Sequence, residues 1–287
     1  MMRRGGYGRR TTRGSGMKLR LLIAGGIVLF TLFSYMRQSD VNPITGEKQR
    51  VALNAQEEIA LGLQSAPAMA QQHGGLYPDE NYQAIVDGVG NSLVAALENY
   101  LEEKGRKNPY QFEFHLLADR QAINAFALPG GQCFITYALF EDLANYSAAK
   151  EYGQFEDRLA GVLAHEVGHV IARHGNQRMA KQKLTQGLIG AASVGGGGYQ
   201  SGQLAAMVGK MINMKYGRGA ELESDKWGVS LADAAGYDAR AMLDVMEILG
   251  ASNAGGGTPE MMSTHPKPKN RQEYIKGILR DAGVQIQ

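Results

Sequence analysis

The spacing of apolar residues along the chain predicts a helix-rich domain with a few short strands. At 79–104 and at 155–172, apolar side chains recur every three or four residues, which is the period of an amphipathic helix. Runs rich in aromatic and β-branched residues at 112–117, 123–128 and 132–136 indicate strands, the last two joined by a turn at Pro129-Gly130-Gly131. Further helices are predicted to begin at Asn54, Thr258 and Arg271 and to cover 177–192, 203–214, 219–235 and 238–249. The expected fold class is α+β, with a small sheet beside the helix at 155–172.

The N-terminal part of the chain differs from the rest in composition. Seven arginine and lysine residues and no acidic residue lie within 1–20, and 21–36 is an uncharged, mostly apolar run. A helix of that length spans about 24 Å, a little short of the roughly 30 Å hydrocarbon core, and the flanking Arg20 and Arg37 can reach the headgroups. We therefore expect a basic, Gly/Arg-rich tail at 1–18, a transmembrane anchor at 19–36, a linker at 37–53 and one folded domain at 54–287.

The distribution of charge predicts the orientation of this anchor. A basic tail stays on the cytoplasmic side, so we expect a single-pass inner-membrane protein whose folded domain lies in the periplasm, with lipid as a partner. A cleaved signal peptide has similar regions, but 33–37 lacks the small residues of a cleavage site. The net charge is +2, so without the seven basic residues of the tail the rest carries about −5, and we expect no nucleic-acid partner. The single cysteine, Cys133, excludes an internal disulfide and a cysteine metal cluster.

The helix at 155–172 carries the most specific chemical pattern, His165-Glu166-Val167-Gly168-His169. Residues four apart lie on one face of a helix, so His165 and His169 can reach a single metal ion. This HExxH pattern is typical of zinc hydrolases, in which the glutamate is the general base that takes a proton from water. The alternative is a structural helix whose histidines satisfy buried hydrogen bonds, which leaves Glu166 beside an apolar face without a function.

A catalytic zinc ion takes three protein ligands and keeps one position open, so a third ligand is required. A later predicted helix carries three acidic residues. Glu221 and Asp225 share a face, so Glu221 can bind the metal while Asp225 accepts an N–H from a ligand histidine. Glu223 lies about 200° around from Glu221 and should point elsewhere, and His174, about 180° from His165, should face away from the site. Because solvated carboxylates are common on helices, spacing alone leaves the assignment of Glu221 open.

These residues make the chain resemble a known family. HEVGH followed by Arg-x-x-Glu-x-x-x-Asp at 218–225 is similar to the membrane-linked zinc metallopeptidases that include the heat-shock protease HtpX, the outer-membrane-assembly protease BepA and the prenyl-protein (CAAX) proteases. Segments 124–131, 159–164 and 263–266 also resemble the family. The Asn42-Pro43-Ile44-Thr45-Gly46 opening is similar to that of the small periplasmic, BepA-like members. The resemblance covers roughly residues 45–280.

The resemblance implies a helix-rich, zincin-like domain that binds one Zn²⁺ through His165, His169 and Glu221. It implies that Asp225 supports the site. It also implies that His265 and Arg271 reach the active site, either to stabilise the oxyanion or, for His265, to occupy the fourth zinc position in a resting state. From the residues alone, a histidine in a proline-bounded loop can equally be exposed and without function. One departure from the family pattern is Gly217, where relatives usually have serine, and it affects only a local hydrogen bond.

The predicted function is a membrane-anchored zinc endopeptidase that hydrolyses unfolded or misassembled envelope proteins. An edge strand within 122–136 is expected to pair with an extended substrate, and Gly195–Gly198 could hinge a loop over the cleft or merely connect two helices. The alternative is a chaperone-like binding factor whose zinc is structural or blocked by His265. A prenyl-protein protease is disfavoured because it would need several membrane spans. The oligomeric state stays open.

Overall fold

A computed structural model describes residues 13–147, 152–196, 216–252, 260–265 and 271–285. Its helices are α1 (Arg13–Arg37), α2 (Ala55–Gln72), α3 (Glu80–Glu103), α4 (Tyr137–Asn145), α5 (Phe155–Ile171), α6 (His174–Gly196), α7 (Arg218–Ala234), α8 (Ala241–Ser252), α9 (Glu260–Thr264) and α10 (Arg271–Asp281). Its strands are β1 (Ser39–Val41), β2 (Lys48–Arg50), β3 (Glu113–Leu117), β4 (Ala125–Ala127) and β5 (Gln132–Thr136). This confirms the helix-rich α+β class. The predicted helix at 203–214, the Thr258-Pro259 start and part of the Gly195–Gly198 run lie outside the described residues.

The N-terminal helix α1 packs along α6 and leaves its other faces open. Within the described ranges, Met17–Arg37 is the one stretch long and apolar enough to cross a membrane. Its partly covered residues recur every three or four positions: Ala24, Ile27, Val28, Thr31, Ser34 and Tyr35. A Cβ at Gly187 of α6 would overlap the side chain of Thr31, so the glycine allows the two helices to approach closely.

The segment between α1 and α2, which we expected to be a linker, is bonded to the domain. Strands β1 and β2 form an antiparallel hairpin, with Asp40 opposite Gln49. Asn42 Nδ2 donates to the carbonyl of Ile171 at 2.8 Å, and Gln49 Nε2 donates to the carbonyl of Ala172 at 3.2 Å. The hairpin therefore satisfies carbonyls at the end of α5 that have no partner within the helix. It is part of the folded unit rather than a free tether.

The small sheet lies beside α5 as the pattern predicted. The strand order is β3-β5-β4, with β3 and β5 parallel and β4 and β5 antiparallel, and every residue of β5 is buried. The turn before β5 contains Gly130 and Gly131 at φ +90° and +112°. A Cβ at Gly130 would lie 2.7 Å from the Glu58 carbonyl oxygen, so glycine is required both for the turn and for the packing of α2 against it. The pattern did not predict α4, which follows β5 directly.

Helix α5 lies at the centre of the core. All of its residues from Arg158 to Ile171 are buried, and α7 and α8 pack against it. At Gly168 a Cβ would lie 3.0 Å from both the Ser224 carbonyl oxygen and the Trp227 Cβ. The absence of a side chain at this position therefore lets α7 approach α5 closely, which brings the acidic face of α7 against the histidine face of α5.

Candidate metal centre

Four side chains from α5, α7 and the residue after α9 meet at one point: His165, His169, Glu221 and His265. His169 Nε2 lies 3.1 Å from His165 Nε2 and 3.2 Å from His265 Nδ1, and the last two nitrogens are 3.4 Å apart. The nearest Glu221 oxygen lies 3.3 Å from His265 Nδ1, 3.5 Å from His169 Nε2 and 3.7 Å from His165 Nε2. A tetrahedron with metal–ligand bonds of 2.0–2.1 Å has edges of about 3.3–3.4 Å. The four groups are therefore spaced as the ligands of one tetrahedral ion.

The burial of these side chains and the hydrogen bonds that Glu221 lacks also favour a bound cation. All four side chains are buried, and among the described residues both Glu221 oxygens lack a hydrogen-bond partner. The Arg271 guanidinium, 3.2 Å from Glu221 Oε2, compensates part of this buried charge, and a divalent ion at the centre of the cluster would supply the remainder. Three imidazoles and one carboxylate, without sulfur, suit a transition metal such as zinc rather than calcium or magnesium, which take oxygen ligands.

Asp225 and Arg271 hold the outer side of His165. Asp225 Oδ1 lies 3.0 Å from His165 Nδ1, and Arg271 donates to both carboxylate oxygens of Asp225 at 2.6 Å. The same guanidinium lies 3.2 Å from Glu221 Oε2. Burial alone would raise the pKa of Asp225, but the charge of Arg271 and the bond with His165 lower it to about 2. Asp225 is therefore an ionised acceptor that can orient the ring of His165.

Glu166 lies next to the cluster rather than in it. Both of its oxygens are buried without a hydrogen-bond partner among the described residues, and Oε1 is 3.7 Å from His265 Nε2. Burial raises the pKa of Glu166, and the neighbouring His265 and His165 only partly oppose this. A carboxyl group with these properties can accept and release a proton within the site.

His265 is the fourth member of this cluster. Its backbone N–H donates to the carbonyl of Met261 at 2.7 Å, which continues the helical turn of α9, and its side chain is buried. Burial alone would lower the pKa of His265, but the carboxylates of Glu166 and Glu221 outweigh it, and the pKa is raised. The structure thus brings together all seven residues singled out from the sequence.

Comparison with known proteins agrees with this geometry. Residues 90–279, more than half of the chain, match the model of Peptidase family M48. The chain belongs to this family. The M48 assignment confirms the resemblance seen in the HExxH segment and at 218–225.

Individual M48 relatives differ in how much of their length the chain matches. It is 30% identical over 249 residues to the beta-barrel assembly-enhancing protease of Escherichia coli K12, covering 83% of this chain and 47% of that protein. It is 26% identical over 265 residues to the metalloprotease YcaL of the same organism, covering 90% of this chain and 96% of that protein. It is 25% identical over 292 residues to the mitochondrial metalloendopeptidase OMA1 of Bos taurus, covering 92% of this chain and 50% of that protein. The chain spans about half the length of the assembly-enhancing proteases it matches.

One prediction about the site is wrong: His174 does not face away from it. Glu223, as predicted, lies outside the cluster of four ligand groups. His174 Nδ1 lies 2.9 Å from His169 Nδ1, and His174 Nε2 lies 3.1 Å from Glu223 Oε2. The prediction for His174 assumed that one continuous helix carries both His165 and His174. In the structure α5 ends at Ile171, Arg173 adopts φ +57°, and α6 begins at His174, so helical angles do not carry across the break.

Tyr216 is a residue of the M48 site that the sequence reading missed. Its ring stacks on that of His169 with centroids 4.0 Å apart, and the Arg178 guanidinium carbon lies 3.6 Å from the Tyr216 centroid. Its backbone N–H donates to the carbonyl of Thr264 at 2.9 Å, next to His265. Burial raises the pKa of Tyr216 to about 12. The only available signal was an aromatic residue two positions before Arg218.

Proposed function

We propose that the chain is a membrane-anchored zinc endopeptidase with a zincin-like centre, in which His165, His169 and Glu221 hold the ion. The observation that carries this proposal is the tetrahedral spacing of four buried ligand groups around the HExxH helix. A zinc ion bound there would polarise the scissile carbonyl and lower the pKa of water at the site. The M48 membership of the chain supports the same reaction class.

Each neighbouring side chain then has a defined task. Glu166 takes the proton of the attacking water and returns it to the leaving amine, for which its raised pKa is suited. Asp225 accepts the Nδ1–H of His165 and fixes its tautomer, and Arg271 compensates the charge of Asp225. Arg271 also approaches Glu221 and is available to stabilise the oxyanion of the transition state.

Strand β4 is the proposed substrate-binding edge. Hydrogen bonds of Leu128 and Asn124 to β5 place the backbone groups of Ala125 and Ala127 on the outer side, where no strand pairs with them among the described residues. Ala127 lines a small cavity together with His169. An extended polypeptide paired here would run past the metal centre and be bound mainly through its backbone. Such binding selects unfolded chains.

The proposed substrates are unfolded or misassembled envelope proteins. Support comes from the name of the beta-barrel assembly-enhancing proteases and from the exposed, apolar α1, which fits a single membrane span. The seven basic residues at 1–20 favour a cytoplasmic N-terminus and a periplasmic catalytic domain.

A second candidate function is a binding factor whose metal site is closed. It is favoured by one observation: His265 Nδ1 lies 3.2 Å from His169 Nε2 and 3.3 Å from Glu221 Oε1, so its ring fills the vertex that water needs. The two functions are compatible if His265 leaves the site when substrate binds. His265 is then an inhibitory ligand rather than an oxyanion stabiliser.

The experiment that tests the proposed function is casein cleavage by the detergent-solubilised full chain beside its Glu166→Gln variant at matched zinc content. Cleavage by the wild type only, with zinc retained by both, is the expected result. Cleavage by the variant above a zinc-free control would refute Glu166 as the base. Zinc bound by both without any cleavage would favour the closed binding factor.

A further inference from the structure

His169 has two differently placed ring nitrogens. Its Nε2 faces the cluster, 3.1 Å from His165 Nε2, while its Nδ1 faces outward and lies 2.9 Å from His174 Nδ1. A histidine that binds a metal through Nε2 carries its proton on Nδ1 and usually donates it to a carboxylate, a carbonyl or water. For His165 that acceptor is Asp225. For His169 the structure offers an imidazole instead.

We propose that His174 is a positioning residue for the ligand His169 and that Glu223 holds His174 in the required tautomer. The proposal rests on the metal centre of the proposed function. His169 Nδ1–H needs an acceptor, so His174 Nδ1 is the bare nitrogen. His174 then carries its proton on Nε2, and Glu223 Oε2, 3.1 Å away, accepts it. In this arrangement the N–H of His169 has His174 as its acceptor, and the N–H of His174 has Glu223 as its acceptor.

The surroundings restrict His174 to this arrangement. The side chain of His174 is 5% exposed, so water has little access to replace the contact with His169. Ser224 Oγ, buried on α7, lies 3.3 Å from His174 Nδ1 and is the more distant of its two neighbours there. Glu223 is 37% exposed, so solvent can substitute for it in part. The expected order of importance is therefore His174 before Glu223.

The backbone explains how a residue five positions after His169 comes back to it. Arg173 adopts φ +57°, a left-handed backbone conformation that is unfavourable for a residue other than glycine. The cost is offset by its buried side chain, which donates to Glu58 at 2.9 Å and to the Leu53 carbonyl at 2.8 Å. This turn ends α5 and directs His174 onto the outer edge of the His169 ring.

The ring of His169 is thus held on two sides. His174 contacts its Nδ1 edge, and Tyr216 stacks on its face at an interplanar angle of 25°. His165, by contrast, is held by the ionised Asp225. A neutral acceptor increases the basicity of a ligand histidine less than a carboxylate does, so the two histidines of the HExxH motif differ in their outer-sphere support.

The test uses the full chain in detergent micelles and measures zinc affinity by competition with a chelator. His174→Phe removes the acceptor but keeps the ring volume, and a loss of affinity of about 10–100-fold is expected. His174→Asn, whose amide oxygen can accept, should recover part of it. His115→Phe is the matched control, because His115 lies on β3 and bonds Gln132 rather than the cluster. Wild-type affinity in His174→Phe would overturn the proposal.

A second measurement needs no variant that might misfold. With only six histidines in the chain, ¹⁵N-histidine labelling resolves ring tautomers by long-range ¹H–¹⁵N correlation in the zinc-loaded protein. The expected pattern is Nδ1–H for His169 and Nε2–H for His174. A proton on Nδ1 of His174 would overturn the positioning role even if zinc binds. A wild-type chain that binds no zinc at all would instead refute the proposed function.

Discussion

Arg173 and Asp40 form an ion pair of 2.9 Å that joins the strand after the apolar N-terminal helix to the turn that ends the histidine-bearing helix. Arg173 is fully buried, whereas the Asp40 side chain is 48% exposed. The guanidinium also binds the buried carboxylate of Glu58. The residue that follows Arg173 is His174, which contacts the cluster. The N-terminal helix and the candidate metal centre are therefore linked within one folded unit.

Replacing the two partners of this ion pair should have unequal effects on stability. Arg173→Met leaves the carboxylate of Glu58 buried without its cation and should lower the free energy of unfolding by about 3–5 kcal/mol. Asp40→Asn removes only a half-exposed charge and should cost less than about 1 kcal/mol. Urea unfolding of the zinc-free protein measures both. Equal losses would contradict the burial argument.

Gly168 should be intolerant of a side chain. Gly168→Ala places a Cβ 3.0 Å from the Ser224 carbonyl oxygen, which forces α7 away from α5 and should cost about 1–3 kcal/mol in unfolding free energy. Because Glu221 is on α7, zinc affinity should fall as well. Gly277→Ala on α10 is the control, since a Cβ there meets nothing within 4 Å and should stabilise the helix slightly. A zinc affinity unchanged in Gly168→Ala would contradict the proposed spacing.

His265→Ala tests whether the His265 side chain inhibits the enzyme by filling the fourth ligand position. If His265 blocks the site, its removal should increase casein cleavage about tenfold for each 1.4 kcal/mol by which the closed arrangement is favoured. Zinc should be retained, because three ligands remain. A loss of cleavage with zinc still bound would show instead that His265 stabilises the oxyanion.

Asp119 should contribute stability that depends on pH. Burial would raise its pKa, but the amides of Ala122 and Gln121 and the ring of His73 outweigh this and lower it below 3.8. A carboxylate with a lowered pKa stabilises the fold above its unfolded pKa, and the contribution disappears as the pH falls through the folded value. Asp119→Asn should therefore be less stable than the wild type at pH 6, and the difference should shrink as the pH falls below the ordinary pKa of an aspartate. A difference independent of pH would contradict this.

The sequence predicted those parts of the site that depend on regular helices. His165 and His169 on α5, and Glu221 and Asp225 on α7, are each four residues apart, so helical periodicity alone places each pair on one face. Hydrophobic spacing likewise located α3, α5 and the sheet. These relationships are local and need no knowledge of how the helices pack.

Relationships that depend on a break or on long-range packing could not be read from the sequence. The positive φ of Arg173 is stabilised by Glu58 and Leu53, which are more than a hundred residues away, so no local pattern indicates it. The positions of His174 and Tyr216 follow from that break and from the approach of α7. The contact of His265 with the cluster was inferred from family resemblance rather than from spacing.

The coordination of the metal is most directly tested by X-ray absorption spectroscopy of the zinc-loaded full chain beside His265→Ala. For the wild type we expect three imidazole nitrogens and one carboxylate oxygen at about 2.0–2.1 Å, without sulfur. For the variant we expect one imidazole fewer at unchanged zinc content. A wild-type spectrum with sulfur, with six oxygen ligands, or with the same imidazole count in both proteins would contradict the tetrahedral centre proposed here.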